Sequence, residues 1–373
     1  MKKLTELKKV VSNPYAYVRK YKKQSGKKVV GYFCSYAPEE LIWAAGALPL
    51  RMFGTSENIH LADTHLQSYC CSLVRGILEE ALANRLDFLD GVVFPHTCDS
   101  FQRLSDIWRL NITGQFHIDV VLPVKLDTPS AKRYLYDVLE KFRKDLGDAL
   151  GVKITDKMLA KSIKTYNKIR RLIATLYELR SKNPQILSGA DFHAIIKAAM
   201  IMDRDYFLEA LSEIVGQLKK AKPAKATGGA KRLVISGSVC SHPDIYDIIE
   251  NSGGVVVGDD LCTGYRYFEG IMDEKKPPLK AITKRYLDRI ICPAKHFQLK
   301  ERGENLIRTV KKSKADGVVF LLLKFCDPHA FDYPYIKEML EAKKIPCLLL
   351  DMEAELPPVG QLQTRFETFV QIL

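Results

Sequence analysis

Two α/β halves on parallel sheets, joined through a helical middle, form the fold class this chain predicts, and three observations predict it. A phrase repeats: Asp90-Gly91-Val92-Val93-Phe94 runs through Pro95-His96-Thr97 to Cys98-Asp99, and Asp316-Gly317-Val318-Val319-Phe320 runs through Leu321 to Phe325 and on to Cys326-Asp327. Short apolar runs alternate with helical patterns at both ends of the chain, as βαβ units require. Between them, Leu, Ile and Tyr recur at three- and four-residue spacing, the helical period.

Taken in order, the first 25 residues read as an amphipathic helix ending near Gly26, and Val29 to Phe33 as a buried strand running into Cys34. Pro38-Glu39-Glu40 opens a helix to Ala45, with proline in its first turn and acids at the positive end of its dipole. Gly46 closes it, and Leu48 to Phe53 returns as a strand. A helix over about Ser68 to Asn84, the Asp90 strand, a helix over Asp99 to Leu110 and a strand over Ile118 to Leu122 follow. Ser130 to about Leu218 is helical, and Ala221 to Ala230, rich in Lys, Ala, Gly and Pro, reads as a solvated linker. Alternation then resumes. Strands are expected at Leu233 to Ser236, at Gly254 to Gly258 leading to Cys262, at Val318 to Leu323 leading to Cys326, and at Cys347 to Asp351. Helices are expected at Pro243 to Asn251 and Gln361 to Ile372. The organisation implied is an α/β domain over 1–130 with its leading helix, a helical segment over 131–220, a linker over 221–231 and a second α/β domain over 232–373.

Hydrophobic content of 47% and charged content of 27% belong to a globular protein with sizeable cores. No apolar run reaches the roughly 18 residues a membrane span needs, so no membrane partner is expected. The lysine-rich N-terminus lacks a signal-peptide apolar core, which predicts a cytoplasmic protein. The formal charge of +13 comes without an aromatic-interleaved basic stripe, so it predicts solvated helix faces rather than nucleic-acid binding.

Nine cysteines in such a chain favour metal or redox chemistry over disulfides. Cys34, Cys98, Cys262 and Cys326 all fall just beyond strand ends, where open α/β sheets hold ligands. Burial alone would not place four thiols at one topological position. Cys70 and Cys71 lie at a helix start, where amide N–H groups and the dipole favour thiolate. Cys240 also follows a strand, whereas Cys292 and Cys347 read as packing residues. With no CxxC pair and no fitting histidine spacing, thiolate-only ligation favours an iron–sulfur cluster over zinc. His96 and His329, near Cys98 and Cys326 in sequence, are candidates to donate hydrogen bonds to cluster sulfurs or to supply protons. Glu39 and Glu40 are candidates for acid–base work or, more simply, dipole partners. Asp99 and Asp327 are expected to cap the helices after them, Arg75 to offset cluster charge, and Trp43 and Trp108 to pack.

Gly31-Tyr32-Phe33-Cys34-Ser35-Tyr36-Ala37-Pro38-Glu39-Glu40-Leu41 with Ala44-Ala45-Gly46 resembles the opening of the 2-hydroxyacyl-CoA dehydratase and benzoyl-CoA reductase family. His96-Thr97-Cys98-Asp99-Ser100, Gly258-Asp259-Asp260-Leu261-Cys262-Thr263-Gly264, Lys324-Phe325-Cys326-Asp327-Pro328 and the ending Gly360-Gln361-Leu362-Gln363-Thr364-Arg365 resemble it too, in order over nearly the whole chain. The resemblance implies two flavodoxin-like (Rossmann-like) domains with parallel sheets plus a helical insert. It also implies a 4Fe-4S cluster on three cysteines, which carry over to Cys71, Cys98 and Cys326. Cys34, Cys70 and Cys262 bring the candidates to six, the number that suits the superfamily's double-cubane proteins, homodimers with an 8Fe-9S cluster in each subunit. The halves align better if Cys240 mirrors Cys34, but the adjacent thiols of Cys70 and Cys71 could serve two neighbouring cubes, so Cys70 is preferred.

The function implied is a reductase that takes low-potential electrons from a separate ATP-hydrolysing iron–sulfur activator and reduces a small molecule. The chain has neither GxxxxGK[ST] nor GxGxxG, so ATP would be hydrolysed elsewhere. A subunit of a 2-hydroxyacyl-CoA dehydratase, acting through a ketyl radical at an open iron, is the second reading. A non-enzymatic electron carrier is the third.

Overall fold

The computed structural model describes residues 1–55, 58–221, 229–290, 292–295, 297–353 and 355–373. Its strands form two four-stranded parallel sheets. The first holds β1 (Val29–Tyr32), β2 (Leu48–Arg51), β3 (Gly91–Pro95) and β4 (Phe116–Val120) in the order β2-β1-β3-β4. The second holds β5 (Lys231–Gly237), β6 (Gly254–Asp260), β7 (Gly317–Leu323) and β8 (Cys347–Met352) in the order β6-β5-β7-β8. The two orders are the same, so the repeated phrase occupies the same place in both sheets, as β3 and as β7. All residues of β1, β3 and β7 are buried, as strands covered by helices on both faces must be.

Each sheet changes winding direction between its first and third strands, and a crevice opens there at the carboxyl ends. Phe33, just past β1, stacks on Phe94 of β3 at 4.2 Å, with Trp108 edge-on to both. Trp108 is therefore the packing residue its sequence context suggested.

The helical middle consists of Pro129–Leu150, Asp156–Lys182, Gly189–Ala198 and Arg204–Lys220. The longest of these braces the halves. Ser162 donates to the Glu40 carbonyl at 2.8 Å on one side. On the other, Tyr177 donates to Asp259 Oδ2 at 2.6 Å and Arg180 pairs with Glu250 at 3.0 Å.

Some elements depart from expectation. The leading helix is two, Lys2–Ser12 and Pro14–Ser25. Pro14 cannot continue the first, and the Asn13 side chain accepts from the Ala16 amide to start the second. Helices Pro278–Asp288 and Leu299–Ser313 fill the stretch between Cys262 and Val318, for which no element is named above. Most of the expected linker, residues 222–228, lies outside the described residues. Among the described residues no helix is long and apolar enough to cross a membrane.

Candidate metal centre

Three cysteines share one local construction. Cys71, Cys98 and Cys326 are the N-cap residues of helices Ser72–Leu82, Asp99–Asn111 and Asp327–Glu341. None of the sulfurs closes a cap hydrogen bond, so each stands before a helix N-terminus whose free amides and dipole favour an anion. The amides of Val74 and Leu73 work toward the Cys71 thiolate, those of Phe101 and Ser100 toward Cys98, and that of His329 toward Cys326. Before Cys326 the chain turns through Phe325 at φ +62°, a left-handed conformation uncommon for an aromatic residue.

Burial outweighs these amides. It pushes the Cys71 thiol up to about 11 and Cys98 up to about 12, and lifts Cys326 well above its ordinary value. The three are also near enough to oppose one another's ionisation: Cys71 and Cys98 both act on Cys326, and Cys71 acts on Cys98. Without a cation these thiols stay protonated at neutral pH. A metal would displace the protons and gain three thiolates at once.

The remaining donors come from loops between the halves. Thr97 Oγ1 lies 3.7 Å from Cys34 Sγ, directed at it. Ser35, the next residue, donates to the Cys262 carbonyl at 2.8 Å and so ties the two carboxyl edges together. Cys262 Sγ, Cys292 Sγ and a ring nitrogen of His329 all lie within 4.8 Å of one another. The Cys292 thiol donates to Cys262, and with Arg266 and His329 alongside it holds Cys262 well below the ordinary thiol range. Cys262 in turn acts on Cys326, and Cys34 on both Cys98 and Cys292. The chain of influence thus closes around one nest.

Cations and orphaned polar atoms line it. Lys295 is 1% exposed and, among the described residues, no carboxylate pairs with it; the anionic groups acting on it are Cys34, Cys292 and Cys98. Arg289 is buried beside Ser35, donating Nη2 to its carbonyl at 3.0 Å, while Nη1 has no partner among the described residues. His329 Nε2 is likewise buried and without a hydrogen-bond partner among them. Buried cations and donors without partners are costly. A thiolate-ligated centre with net negative charge would satisfy both the cations and the donors, so the donor set fits one.

Several candidates from the sequence lie elsewhere. Cys70 is at the rim, where Ser100, Arg75 and Asp327 surround it and Cys71 is the neighbouring thiol. Arg75 is engaged by Asp63, at 2.6 and 3.0 Å. His96 bonds Asp119 at 2.8 Å. Glu39 receives Arg204 at 2.8 Å and the Tyr32 and Tyr166 hydroxyls at 3.2 Å. Among the described residues neither His96 nor Glu39 bonds a cysteine. The caps expected of Asp99 and Asp327 are a correction: the helices begin at these residues, so the capping position falls to the cysteine before each. Cys292, whose apolar, Pro-flanked context suggests packing, does pack against the first-half core, and the Pro293–Lys295 turn that follows it leaves its sulfur beside Cys262 and His329. Cys347 starts β8 with Lys337 and Glu341 as its charged neighbours.

Cys240 follows β5 as Cys34 follows β1, so the mirrored alignment holds for the backbone. Its side chain turns the other way. It is 3% exposed, its carbonyl accepts from His193 Nε2 at 3.2 Å, and Thr263 and Lys197 pack around it. Burial, with Lys197 adding to it, lowers His193 to about 4. Below about pH 6.5 the unfolded chain binds a proton that the folded one refuses, so stability is lost as pH falls toward 4, by ~3 kcal/mol at the lower limit. The urea midpoint of wild type should therefore fall more steeply between pH 7 and 4.5 than that of His193→Gln.

Comparison with known proteins finds relatives along almost the whole chain. The family model described as 2-hydroxyglutaryl-CoA dehydratase, D-component, matches residues 34–373. The chain is 28% identical to the (R)-phenyllactyl-CoA dehydratase beta subunit of Clostridium sporogenes, over 99% of this chain and 98% of that protein. It is 29% identical to the lactoyl-CoA dehydratase beta subunit of Anaerotignum propionicum, with 99% and 98% covered. It is 30% identical to one of the subunits of the benzoyl-CoA reductase of Thauera aromatica, with 86% and 84% covered. A model match from Cys34 to the last residue, on two like-ordered parallel sheets, places the chain in the 2-hydroxyglutaryl-CoA dehydratase D-component family, whose members are dehydratases or reductases, and makes it an enzyme.

Proposed function

We propose that the nest holds an iron–sulfur centre of the 8Fe-9S double-cubane kind, and that the protein is the reductase component receiving low-potential electrons from an ATP-hydrolysing iron–sulfur activator. The observation that carries this reading is the number of thiols in one place. Cys34, Cys71, Cys98, Cys262, Cys292 and Cys326 converge, with Cys70 at the rim, whereas a single 4Fe-4S cube takes at most about four. When bound, such a centre supplies single electrons to a small molecule at an exposed metal position.

The chain's own residues supply the rest. Lys295, Arg289 and Arg266 offset the charge of the thiolates. His329, buried with no hydrogen-bond partner for Nε2 among the described residues, is the group placed to deliver a proton, ahead of the engaged His96 and Glu39. A cavity of about 240 Å³, lined by Phe53, Ser72, Lys197, His242 and Leu323, opens beside the helix that Cys71 caps. Its size suits a small substrate rather than one of drug-sized bulk. No phosphate-binding loop occurs in the sequence, which agrees with ATP hydrolysis on a separate protein. Phe331 and Tyr335, one turn apart on helix Asp327–Glu341, are 70% and 57% exposed. They offer a face for the second copy of a homodimer.

Iron and sulfide analysis of anaerobically purified protein is the test. About eight irons per chain are expected, and colourless, iron-free protein would end the reading. The second reading, in which the chain is part of a 4Fe-4S 2-hydroxyacyl-CoA dehydratase, is favoured by the names of the relatives. About four irons per chain would select it.

A further inference from the structure

We propose that Cys292, not Cys70, is the sixth thiolate ligand of this centre, so that Cys34, Cys262 and Cys292 form one triad beside that of Cys71, Cys98 and Cys326. The inference rests on the iron–sulfur reading above and assigns its ligands within this chain.

Four observations support it. Cys262 Sγ, Cys292 Sγ and a His329 ring nitrogen form a set of donor atoms within 4.8 Å of one another. Two sulfurs that close place two soft donors of the second half at one spot on the wall of the nest. The Cys292 backbone is also fixed by both halves. Its amide donates to the Tyr36 hydroxyl at 3.2 Å, and its carbonyl accepts from the Lys295 amide at 2.9 Å. A loop pinned in this way holds its sulfur in place before any metal arrives.

The third observation is Lys295 itself. It follows Cys292 by one turn, is 1% exposed and has no carboxylate partner among the described residues. It stands where a negative group must lie, between Cys292 and the first-half thiols Cys34 and Cys98. The last is the contrast with Cys70. That residue's surroundings are Ser100, Arg75 and Asp327, and the thiol it acts on is its own sequence neighbour, Cys71.

The division that results follows proximity. Cys71 and Cys98 act on Cys326, and Cys34 and Cys262 act on Cys292, so each triad draws on both halves. The halves meet at the seam where Ser35 bonds the Cys262 carbonyl.

The test compares wild type with Cys292→Ser, Cys70→Ser and Cys347→Ser, all purified anaerobically and assayed for iron, sulfide and Mössbauer spectrum. Cys292→Ser should lose about half of its iron and sulfide and change spectrum, whereas Cys70→Ser and Cys347→Ser should match wild type. Wild-type content in Cys292→Ser, or an equal loss in Cys70→Ser, would overturn the assignment while leaving the cluster reading intact. Iron-free wild type would instead refute the cluster reading. Should Cys292→Ser fail to fold, mass-spectrometric alkylation of wild type decides the matter. Cys292 should be protected in loaded protein and labelled once the metal is chelated away, while Cys70 labels in both; labelling of Cys292 in the loaded protein overturns the proposal.

Discussion

Cys326→Ser should strip the anaerobically prepared protein of most of its iron while leaving the fold intact. Cys71 and Cys98 from the first half and Cys262 from the second all act on Cys326. It therefore stands where ligands from both halves meet. Serine keeps the shape but is a far poorer ligand for a soft metal than thiolate. It is also a favoured N-cap, so helix Asp327–Glu341 should start as well with serine as with cysteine. Iron and sulfide should fall together, and the circular-dichroism melting curve of the metal-free variant should overlay that of metal-free wild type. Full iron content in this variant would remove Cys326 from the centre.

Glu40→Gln is expected to cost about 3–5 kcal/mol of stability, the effect of stranding buried charges. Glu40 is 0% exposed and pairs with both Arg170 and Arg285. Burial alone would raise its carboxyl, but the two guanidinium groups more than offset that and hold it below the usual range. Arg285 is driven by burial, and by Arg170 beside it, down to about 10. Glutamine fills the same volume without neutralising either arginine. The urea midpoint of metal-free protein should drop sharply, and adding Arg285→Met should recover part of the loss by removing one stranded charge. Breaking the exposed Lys284–Asp288 pair, 56% and 55% accessible, should change stability by less than about 1 kcal/mol.

How much of this is legible in the sequence differs from element to element. Strands that are apolar throughout, such as Gly91–Pro95 and Gly317–Leu323, announce themselves because burial on both faces leaves no room for polar residues. Their repeated ending also places Cys98 and Cys326 at matching helix starts. The nearness of Cys292 to Cys262 is not legible in this way, because no strand leads to Cys292; a turn and a tyrosine hydroxyl place it. The strand pattern leaves the direction of Cys240 undecided, since backbone topology puts that residue opposite Cys34 and only packing against His193 and Lys197 turns it away. Glu39 and Glu40 are readable as first-turn acids. Their arginines are not, because Arg170, Arg204 and Arg285 come from helices more than a hundred residues distant in the chain.

The helix Asp156–Lys182 has a consequence for the thiols. It reaches Glu40 in one lobe and Asp259 and Glu250 in the other, so the spacing between lobes is set by a rigid strut. The sulfurs are relieved of any duty as a clasp. An inorganic core would meet a socket already shaped for it, and shedding that core would leave the frame standing.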